Sequence, residues 1–228
     1  DTHLDYLPLT LRSKKYQAIF KVQAHIARAF REFFTGEGFV EFQAPKLIGD
    51  DEEGGANSFD VLYFKHTAHL AQSPQLYKQI MVGVFERVFA VGNFYRAEKH
   101  STTRHLNEYT SLDIEFGFIK DHTDVMAMET AFLRYLEKEL RAHCGDAFAL
   151  LNADIPKVPV EVPSMKLAEA LALIKKETGA DKTGAMDLDP EDERWLCEYA
   201  QKSLDSDFIF ITHFPTAKRP FYTYEDEN

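Results

Sequence analysis

One short segment of the chain combines an arginine with several carboxylates at spacings that suit two neighbouring β-strands. Arg96 and Glu98 follow an apolar run, and Asp113 and Glu115 belong to a second run beyond a polar loop. In the second run apolar and polar residues alternate, which predicts that Asp113 and Glu115 lie on one face of a strand. In an antiparallel hairpin, Arg96 is expected to lie across from this acidic row. Such a site suits a phosphate, a metal ion and an ammonium, although a solvated ladder of opposite charges has the same pattern.

The residues around this segment resemble motif 2 of the class II aminoacyl-tRNA synthetases. That motif is an arginine, a glutamate two residues later, a variable loop and a return strand. Residues 94–98 (Phe-Tyr-Arg-Ala-Glu) and 103–108 (Thr-Arg-His-Leu-Asn-Glu) are similar to the aspartyl and asparaginyl subgroup. Residues 71–79 (Ala-Gln-Ser-Pro-Gln-Leu-Tyr-Lys-Gln) resemble the archaeal and eukaryotic type of aspartyl-tRNA synthetase. The resemblance extends from Leu4 to Tyr224.

The resemblance implies amino-acid activation, in which a carboxylate attacks the α-phosphorus of ATP. Fixed cations must then stand at the phosphate, and a separate acidic pocket must receive the substrate ammonium. Arg96 would be the catalytic residue that holds the α-phosphate. The residues expected to contact ATP are those of motif 2 and its loop: Arg96, Glu98, Arg104, His105, Leu106 and Glu108. For His105 and Glu108, the resemblance implies contact with ATP or with the acceptor end of the tRNA. The alternative is that they are polar loop residues that face water.

The resemblance also implies an aspartate pocket. Lys78 would pair with the substrate β-carboxylate, with Gln75 one helical turn earlier in the same pocket. Asp113 would receive the substrate ammonium, together with Glu53 from a glycine-rich mobile loop. Glu115 matches a carboxylate near the nucleotide and its Mg²⁺. An exposed helix lysine is the alternative for Lys78, because most lysines are exposed.

The function implied is that of an aspartate–tRNA ligase, which activates L-aspartate with ATP and transfers it to tRNA(Asp). Whether tRNA(Asn) is also charged stays open. An asparaginyl enzyme is the nearest alternative, and it predicts a neutral residue where Lys78 stands. A synthetase-like module that binds or dimerises without catalysis is an alternative of another class.

Composition places the chain among ordinary globular proteins. It has 228 residues, of which 45% are hydrophobic and 28% are charged, enough for one sizeable core. The sequence has no apolar run of membrane-spanning length, and its two cysteines do not suggest a disulfide scaffold, so we expect a cytoplasmic protein. The net charge of −11 argues against broad nucleic-acid binding but does not exclude tRNA.

The predicted fold class is α+β, with an antiparallel β-sheet flanked by helices as in the class II synthetases. An amphipathic helix over 14–34 followed by a strand over 38–44 resembles motif 1, which in the family forms the interface of a homodimer. Residues 1–13 resemble the hinge that follows an anticodon-binding domain absent here, and 14–228 resemble part of a catalytic domain without motif 3. By this expectation the chain alone would be inactive.

Periodicity and turn residues predict the remaining elements. Helices are expected at 75–84, 123–143, 165–178 and 190–204, and strands at 59–64, 68–71, 87–96, 109–119 and 207–212. The segment 145–163, rich in proline and alanine, is expected to be a surface excursion, and 207–212 a buried strand.

Overall fold

The computed structural model describes residues 2–49, 58–97, 106–219 and 222–225. Its contacts divide the chain into two compact units, Asp1–Gln23 with His122–Asn228, and Ala24–Asp121. The helices, in chain order, are α1 (Thr2–Asp5), α2 (Leu7–Thr10), α3 (Lys14–Gly36), α4 (Gln75–Phe85), α5 (His122–His143), α6 (Gly145–Leu151), α7 (Leu167–Thr178) and α8 (Pro190–Ser203). The strands are β1 (Val40–Glu41), β2 (Leu47–Ile48), β3 (Asp60–Tyr63), β4 (His66–Leu70), β5 (Arg87–Tyr95), β6 (Glu108–Phe116), β7 (Ser164–Lys166) and β8 (Phe210–Thr212).

The unit of residues 24–121 contains two three-stranded sheets. In the first, of order β1-β5-β6, the long strands β5 and β6 pair antiparallel along their whole length, as predicted. Strand β1 pairs parallel with β5, so this sheet is mixed rather than wholly antiparallel. The second sheet, β2-β4-β3, is antiparallel. The α+β class predicted from the sequence is confirmed.

One buried cluster of this unit lies on the face of β5 opposite to Phe89, which packs against Phe30 and Phe34 of α3. Val88, Ala90 and Phe94 alternate along the strand and are 0%, 3% and 0% exposed. Alternation places them on the same side of the sheet. Helix α4 covers them with the half-buried side chains of Tyr77, Met81 and Val82. This packing fixes the helix against the sheet.

Helix α3 confirms the predicted amphipathic helix, and it ends at Gly36 as expected. Its C-terminal half buries Phe30 and Phe34, whose rings lie 4.6 Å apart. Gly38, with a φ of +81°, then turns the chain into β1. The strand predicted over 38–44 is reduced to Val40–Glu41, because the chain leaves the ladder after Phe42 donates to Phe89 O and before Pro45.

The other unit is described by itself. Strands β7 and β8 pair parallel, and Ala170, Ile174 and Leu196 of α7 and α8 form a buried cluster. Strand β8 is shorter than predicted, and its residues are half-buried rather than buried. The segment 145–163, predicted to be a surface excursion, begins with helix α6, which has no buried residue. The prolines of that segment lie only in its second half, beyond the helix.

Helix α8 begins with the cap that its sequence predicts. Asp189 accepts hydrogen bonds from the N–H groups of Glu191 and Asp192 at 2.9 and 3.0 Å, and Pro190 occupies the first turn. The hydrogen bond from Lys182 lowers the pKa of Asp189 to about 2. Over the part of the chain that the structure describes, no helix combines the length and the apolar character that a membrane crossing requires.

Candidate active site

The candidate site lies on the face of the β5–β6 ladder that also carries the buried residues Val88, Ala90 and Phe94. Directly opposite residues of an antiparallel pair project to the same side of the sheet. The register therefore places four residues of β6 on this face, each beside its partner on β5: Glu115 with Val88, Asp113 with Ala90, Ser111 with Gly92 and Tyr109 with Phe94. The predicted acidic row, Asp113 and Glu115, is thus observed on one face.

Lys78 reaches this row from helix α4. The helix starts after Ser73, whose hydroxyl oxygen accepts a hydrogen bond from the Gln75 N–H at 3.1 Å. Lys78 lies one turn later on the covered side of the helix and is only 8% exposed. This burial excludes the alternative that Lys78 is an exposed helix lysine.

The ammonium of Lys78 lies between two carboxylates. Its Nζ donates to Asp113 Oδ1 at 3.1 Å and lies 3.6 Å from Glu115 Oε2. The side chain of Asp113 is 18% exposed and that of Glu115 31%. Partial burial reduces solvent screening, so this cluster of one cation and two anions carries a local negative charge that can hold a cation.

Arg96 extends the same face beyond the last residue of β5. Its N–H donates to Asn107 O at 3.0 Å, which continues the ladder by one residue. Alternation along the strand puts Arg96 on the face of Phe94, and its guanidinium carbon lies 5.7 Å from the centre of the Tyr109 ring. The structure therefore places Arg96 on the same face as Asp113. Arg96 lies opposite Asn107, however, and not across from the acidic row as predicted, because Asp113 and Glu115 pair with Ala90 and Val88 farther along β5.

Glu108 lies on the opposite face. It pairs with Tyr95, and its Oε1 accepts a hydrogen bond from Asn93 Nδ2 at 2.9 Å. Thr110 Oγ1 donates to the Oδ1 of the same asparagine, also at 2.9 Å. The register thus separates Glu108 from Asp113, although the sequence grouped it with the ATP-contacting residues.

The remaining predicted residues divide into two groups. Gln75 is half-buried at the start of α4, three residues before Lys78, and Leu106 is 60% exposed ahead of β6. The predicted roles of Glu53, Glu98, Arg104 and His105 fall on residues outside those that the structure describes.

Three residues on this face were assigned no role from the sequence. The Ser111 hydroxyl donates to Asp113 Oδ2, and the Tyr109 hydroxyl donates to Gln72 O at 3.2 Å. The ammonium of Lys46 lies 3.4 Å from the centre of the Phe94 ring. The period of two along β6 could have identified Ser111 and Tyr109, whereas no local pattern marks Lys46.

Gly92 leaves room for that ammonium. A Cβ built on Gly92 would lie 3.2 Å from Lys46 Nζ, which is tighter than ordinary contact. Gly92 also pairs with Ser111, so the strand opposite this serine presents no side chain. Because Gly92 has no side chain, the Lys46 ammonium can lie over the strand at this position.

Within the described ranges, no group of three or more His, Cys, Asp or Glu residues is placed to hold a metal ion. Glu115 stands as one candidate carboxylate. A Mg²⁺ ion bound with a nucleotide commonly uses only one or two protein carboxylates, the rest of its ligands being phosphate oxygens and water. Glu115 fits that use.

The other unit contains a separate cavity of about 560 Å³. Residues of α5, of β8 and of the segment after β8 line it. The ring centres of His122 and His213 lie 5.8 Å apart in an edge-to-face arrangement. The guanidinium carbon of Arg219 lies 4.3 Å from the centre of the Phe214 ring. The sequence predicted no role for these residues.

Comparison with known proteins provides independent information. The family model described as tRNA synthetases class II (D, K and N) matches residues 1–228. The aspartate–tRNA(Asp/Asn) ligase of Deinococcus radiodurans is 50% identical over 228 residues, which are 100% of this chain and 52% of that protein. The enzyme of the same name from Thermus thermophilus is 47% identical, again over 100% of this chain and 54% of its own length. The chain thus spans about half the length of these curated relatives.

A solved structure shares the fold. The asparaginyl-tRNA synthetase of Pyrococcus horikoshii, complexed with asparaginyl-adenylate, superposes with a TM-score of 0.89 at 29% identity. The match covers 99% of this chain and 51% of that one. The sequence relatives and this structure therefore carry names from two different amino-acid specificities.

Proposed function

Because this chain belongs to the class II tRNA synthetases of the D, K and N group, we propose that its β5–β6 site activates L-aspartate as part of an aspartate–tRNA ligase. The observation that carries the proposal is the ion pair of 3.1 Å between Lys78 and Asp113. Two relatives named as aspartate ligases, 50% and 47% identical over the whole chain, support it. The family match itself confirms the resemblance predicted from the motifs.

The proposed pocket has a partner for each end of the amino acid. Lys78 has three donors and directs one to Asp113, which leaves donors for the β-carboxylate of aspartate. Asp113 accepts the substrate ammonium, and Gln75 lies one turn before Lys78 on α4. A neutral amide in place of the β-carboxylate would leave the ammonium of Lys78 poorly compensated.

Arg96 is the proposed clamp for the α-phosphate of ATP. The α-carboxylate oxygen of aspartate attacks the α-phosphorus and forms the acyl phosphate bond of the adenylate, while the bond to pyrophosphate breaks. The guanidinium of Arg96 stabilises the charge that develops on the phosphoryl oxygens. Its position beside the Tyr109 ring restricts its orientation.

The other proposed nucleotide contacts rest on motif 2 alone. Glu98, Arg104 and His105 match it in sequence, and Leu106 follows them in the chain. Glu108 is omitted from the proposed ATP contacts, because its carboxylate is on the opposite face of β6 and is bonded to Asn93. Glu53 is proposed as a second acid for the substrate ammonium, on motif grounds only.

Glu115 is the proposed protein ligand for Mg²⁺. It is the more exposed of the two carboxylates beside Lys78, at 31% against 18%. When bound with ATP, Mg²⁺ neutralises phosphate charge. Glu115 would hold the ion through its carboxylate, whose Oε2 lies 3.6 Å from Lys78 Nζ.

The acceptor and the assembly are further parts of the proposal. The printed names of the two relatives include tRNA(Asp/Asn), which supports tRNA(Asp), with tRNA(Asn) as a second acceptor. We also propose a cytoplasmic homodimer that associates through 14–45, on the resemblance of this helix and strand to motif 1. Two of its apolar residues, Ile19 and Phe20, are 47% and 54% exposed.

An asparaginyl specificity is the second candidate, and the fold match to the Pyrococcus horikoshii enzyme favours it. The charge of Lys78, held on the covered side of α4, argues against it, because a charged donor is matched to a charged substrate group. The two candidates differ in which amino acid the site accepts.

ATP–pyrophosphate exchange with the complete gene product tests the proposal. L-Aspartate should support exchange with a kcat/KM about 10⁴ higher than that of L-asparagine, because a site built around a charged group rejects the neutral analogue strongly. The opposite ratio would establish the asparaginyl alternative. No exchange with either amino acid would indicate a module without catalysis.

A further inference from the structure

Asp113 is held from two sides by residues of different elements. Lys78 Nζ donates to its Oδ1 at 3.1 Å, and the Ser111 hydroxyl donates to its Oδ2. Each carboxylate oxygen therefore already has one donor, which fixes the rotation of the carboxylate. Each oxygen also keeps capacity to accept another hydrogen bond.

The orientation of the Ser111 hydroxyl has a chemical consequence. A hydroxyl has one proton to donate and two lone pairs to accept with. Since the proton is directed to Asp113, the lone pairs of Ser111 Oγ point elsewhere on the same face. Ser111 is half-buried, and its cross-strand partner Gly92 has no side chain. The Lys46 ammonium lies over Gly92, so the substrate ammonium would bind on the Asp113 side of the hydroxyl.

We propose that Ser111 and Asp113 together bind the primary ammonium of the amino-acid substrate. A primary ammonium has three donors, and this pair offers it one charged and one neutral acceptor on adjacent same-face positions of β6. Ser111 also acts as a positioning residue. Its hydrogen bond to Asp113 Oδ2 holds the carboxylate so that Oδ1 faces Lys78.

This inference rests on the proposed function for the location of the amino acid, but it does not depend on which amino acid is used. Both L-aspartate and L-asparagine carry the same ammonium. Replacement of Ser111 should therefore raise the KM for either amino acid. Replacement of Lys78 should affect only a substrate with a side-chain carboxylate.

Thr110 provides a matched control. It is the neighbour of Ser111 and also has a hydroxyl with one side-chain partner, Asn93 Oδ1 at 2.9 Å. Its side chain lies on the opposite face of β6. Removing this hydroxyl changes the strand in a similar way without touching the proposed ammonium site.

The kinetic experiment is ATP–pyrophosphate exchange in the complete gene product with Ser111→Ala, Ser111→Thr and Thr110→Ala. Ser111→Ala should raise the KM for L-aspartate about 10- to 100-fold, as expected when a hydrogen bond to a charged group is lost. The KM for ATP should stay within about twofold, and Ser111→Thr should restore most of the loss, because it keeps the hydroxyl. Thr110→Ala should behave like the wild type.

Succinate separates ammonium binding from a general structural effect. It has the two carboxylates of aspartate but no ammonium, so its inhibition constant should be the same in the wild type and in Ser111→Ala. Equal weakening of succinate and aspartate, or an equal rise in the KM for ATP, would overturn the proposal. Ser111→Cys, of similar size, replaces the alanine variant if thermal melting shows that the latter is unfolded.

The same experiment distinguishes this inference from the proposed function. If the wild type uses L-asparagine instead of L-aspartate, the aspartate specificity fails, and Ser111→Ala must then raise the KM for L-asparagine. If calorimetry detects binding of neither amino acid to the wild type, both proposals are wrong.

Discussion

The ammonium of Lys78 lies 3.1 Å from Asp113 Oδ1, although 35 residues separate the two along the chain. The pair joins helix α4 to the return strand β6, and both side chains are more than four-fifths buried. Removing one partner of such a pair leaves the other charge uncompensated. A shift of α4 would therefore separate Lys78 from Asp113 and leave the Asp113 carboxylate in the candidate site without its cation.

Replacement of Arg96 by alanine should reduce aspartate-dependent ATP–pyrophosphate exchange by roughly 10²–10³, the usual cost of removing one preorganised donor to a transition state. Arg87→Ala is the control, since Arg87 opens the same strand, is exposed and donates to Glu37 O at 3.1 Å. The clamp assignment would be contradicted by exchange within threefold of the wild type in Arg96→Ala.

Replacement of Glu108 by glutamine should change the KM for ATP less than threefold. The reason is its position on the opposite face of β6, where Asn93 Nδ2 donates to its carboxylate at 2.9 Å. Steady-state kinetics with ATP as the varied substrate provide the measurement. A rise above about tenfold, on the scale of one lost hydrogen bond to a charged group, would return Glu108 to the nucleotide site.

The sequence predicted the site face better than it predicted the environment of Lys78. Alternation along β6 was sufficient to place Asp113 and Glu115 together, because the period of a strand is two. No pattern on α4 predicted that Lys78 is buried while its neighbours Leu76 and Ile80 are 49% and 55% exposed. That outcome depends on which side of the helix packs against β5, which is a tertiary property.

The ends of the elements were also beyond local patterns. The predicted strand over 38–44 is cut to Val40–Glu41 because the chain leaves β5 after the hydrogen bond from Phe42 N–H to Phe89 O. The proline content of 145–163 did not indicate helix α6, because all three prolines, Pro156, Pro159 and Pro163, follow the helix. The end of β1 is set by hydrogen bonds to a strand distant in sequence, and α6 forms in the part of the segment that contains no proline.

Replacement of Phe94 by alanine should lower the free energy of unfolding of this chain by about 3–5 kcal/mol, because the ring is fully buried and leaves a cavity. Phe118→Ala, at a position 90% exposed, is the matched control and should change it by less than about 0.5 kcal/mol. Urea denaturation measures both. Similar losses in the two variants would contradict the assignment of Phe94 to the core.

Replacement of Ile19 or Phe20 by glutamate should dissociate the proposed dimer. These apolar side chains of α3 are 47% and 54% exposed, and a charge introduced into an apolar interface is costly to desolvate. Lys21→Glu, also at an exposed position, is the control. Sedimentation equilibrium should report a dimer for the wild type and the control, and a monomer for the two variants. A monomeric wild type would remove the motif 1 assignment.

The specificity ratio of Lys78→Met tests the central claim most directly. The ratio of kcat/KM for L-aspartate to that for L-asparagine, measured by ATP–pyrophosphate exchange in the complete gene product, should fall by about 10⁴ from its wild-type value, because the charged partner of the β-carboxylate is lost. The KM for ATP should change little. A ratio that stays within threefold of the wild type, with equal losses for both amino acids, would show that Lys78 supports the fold and does not select the substrate.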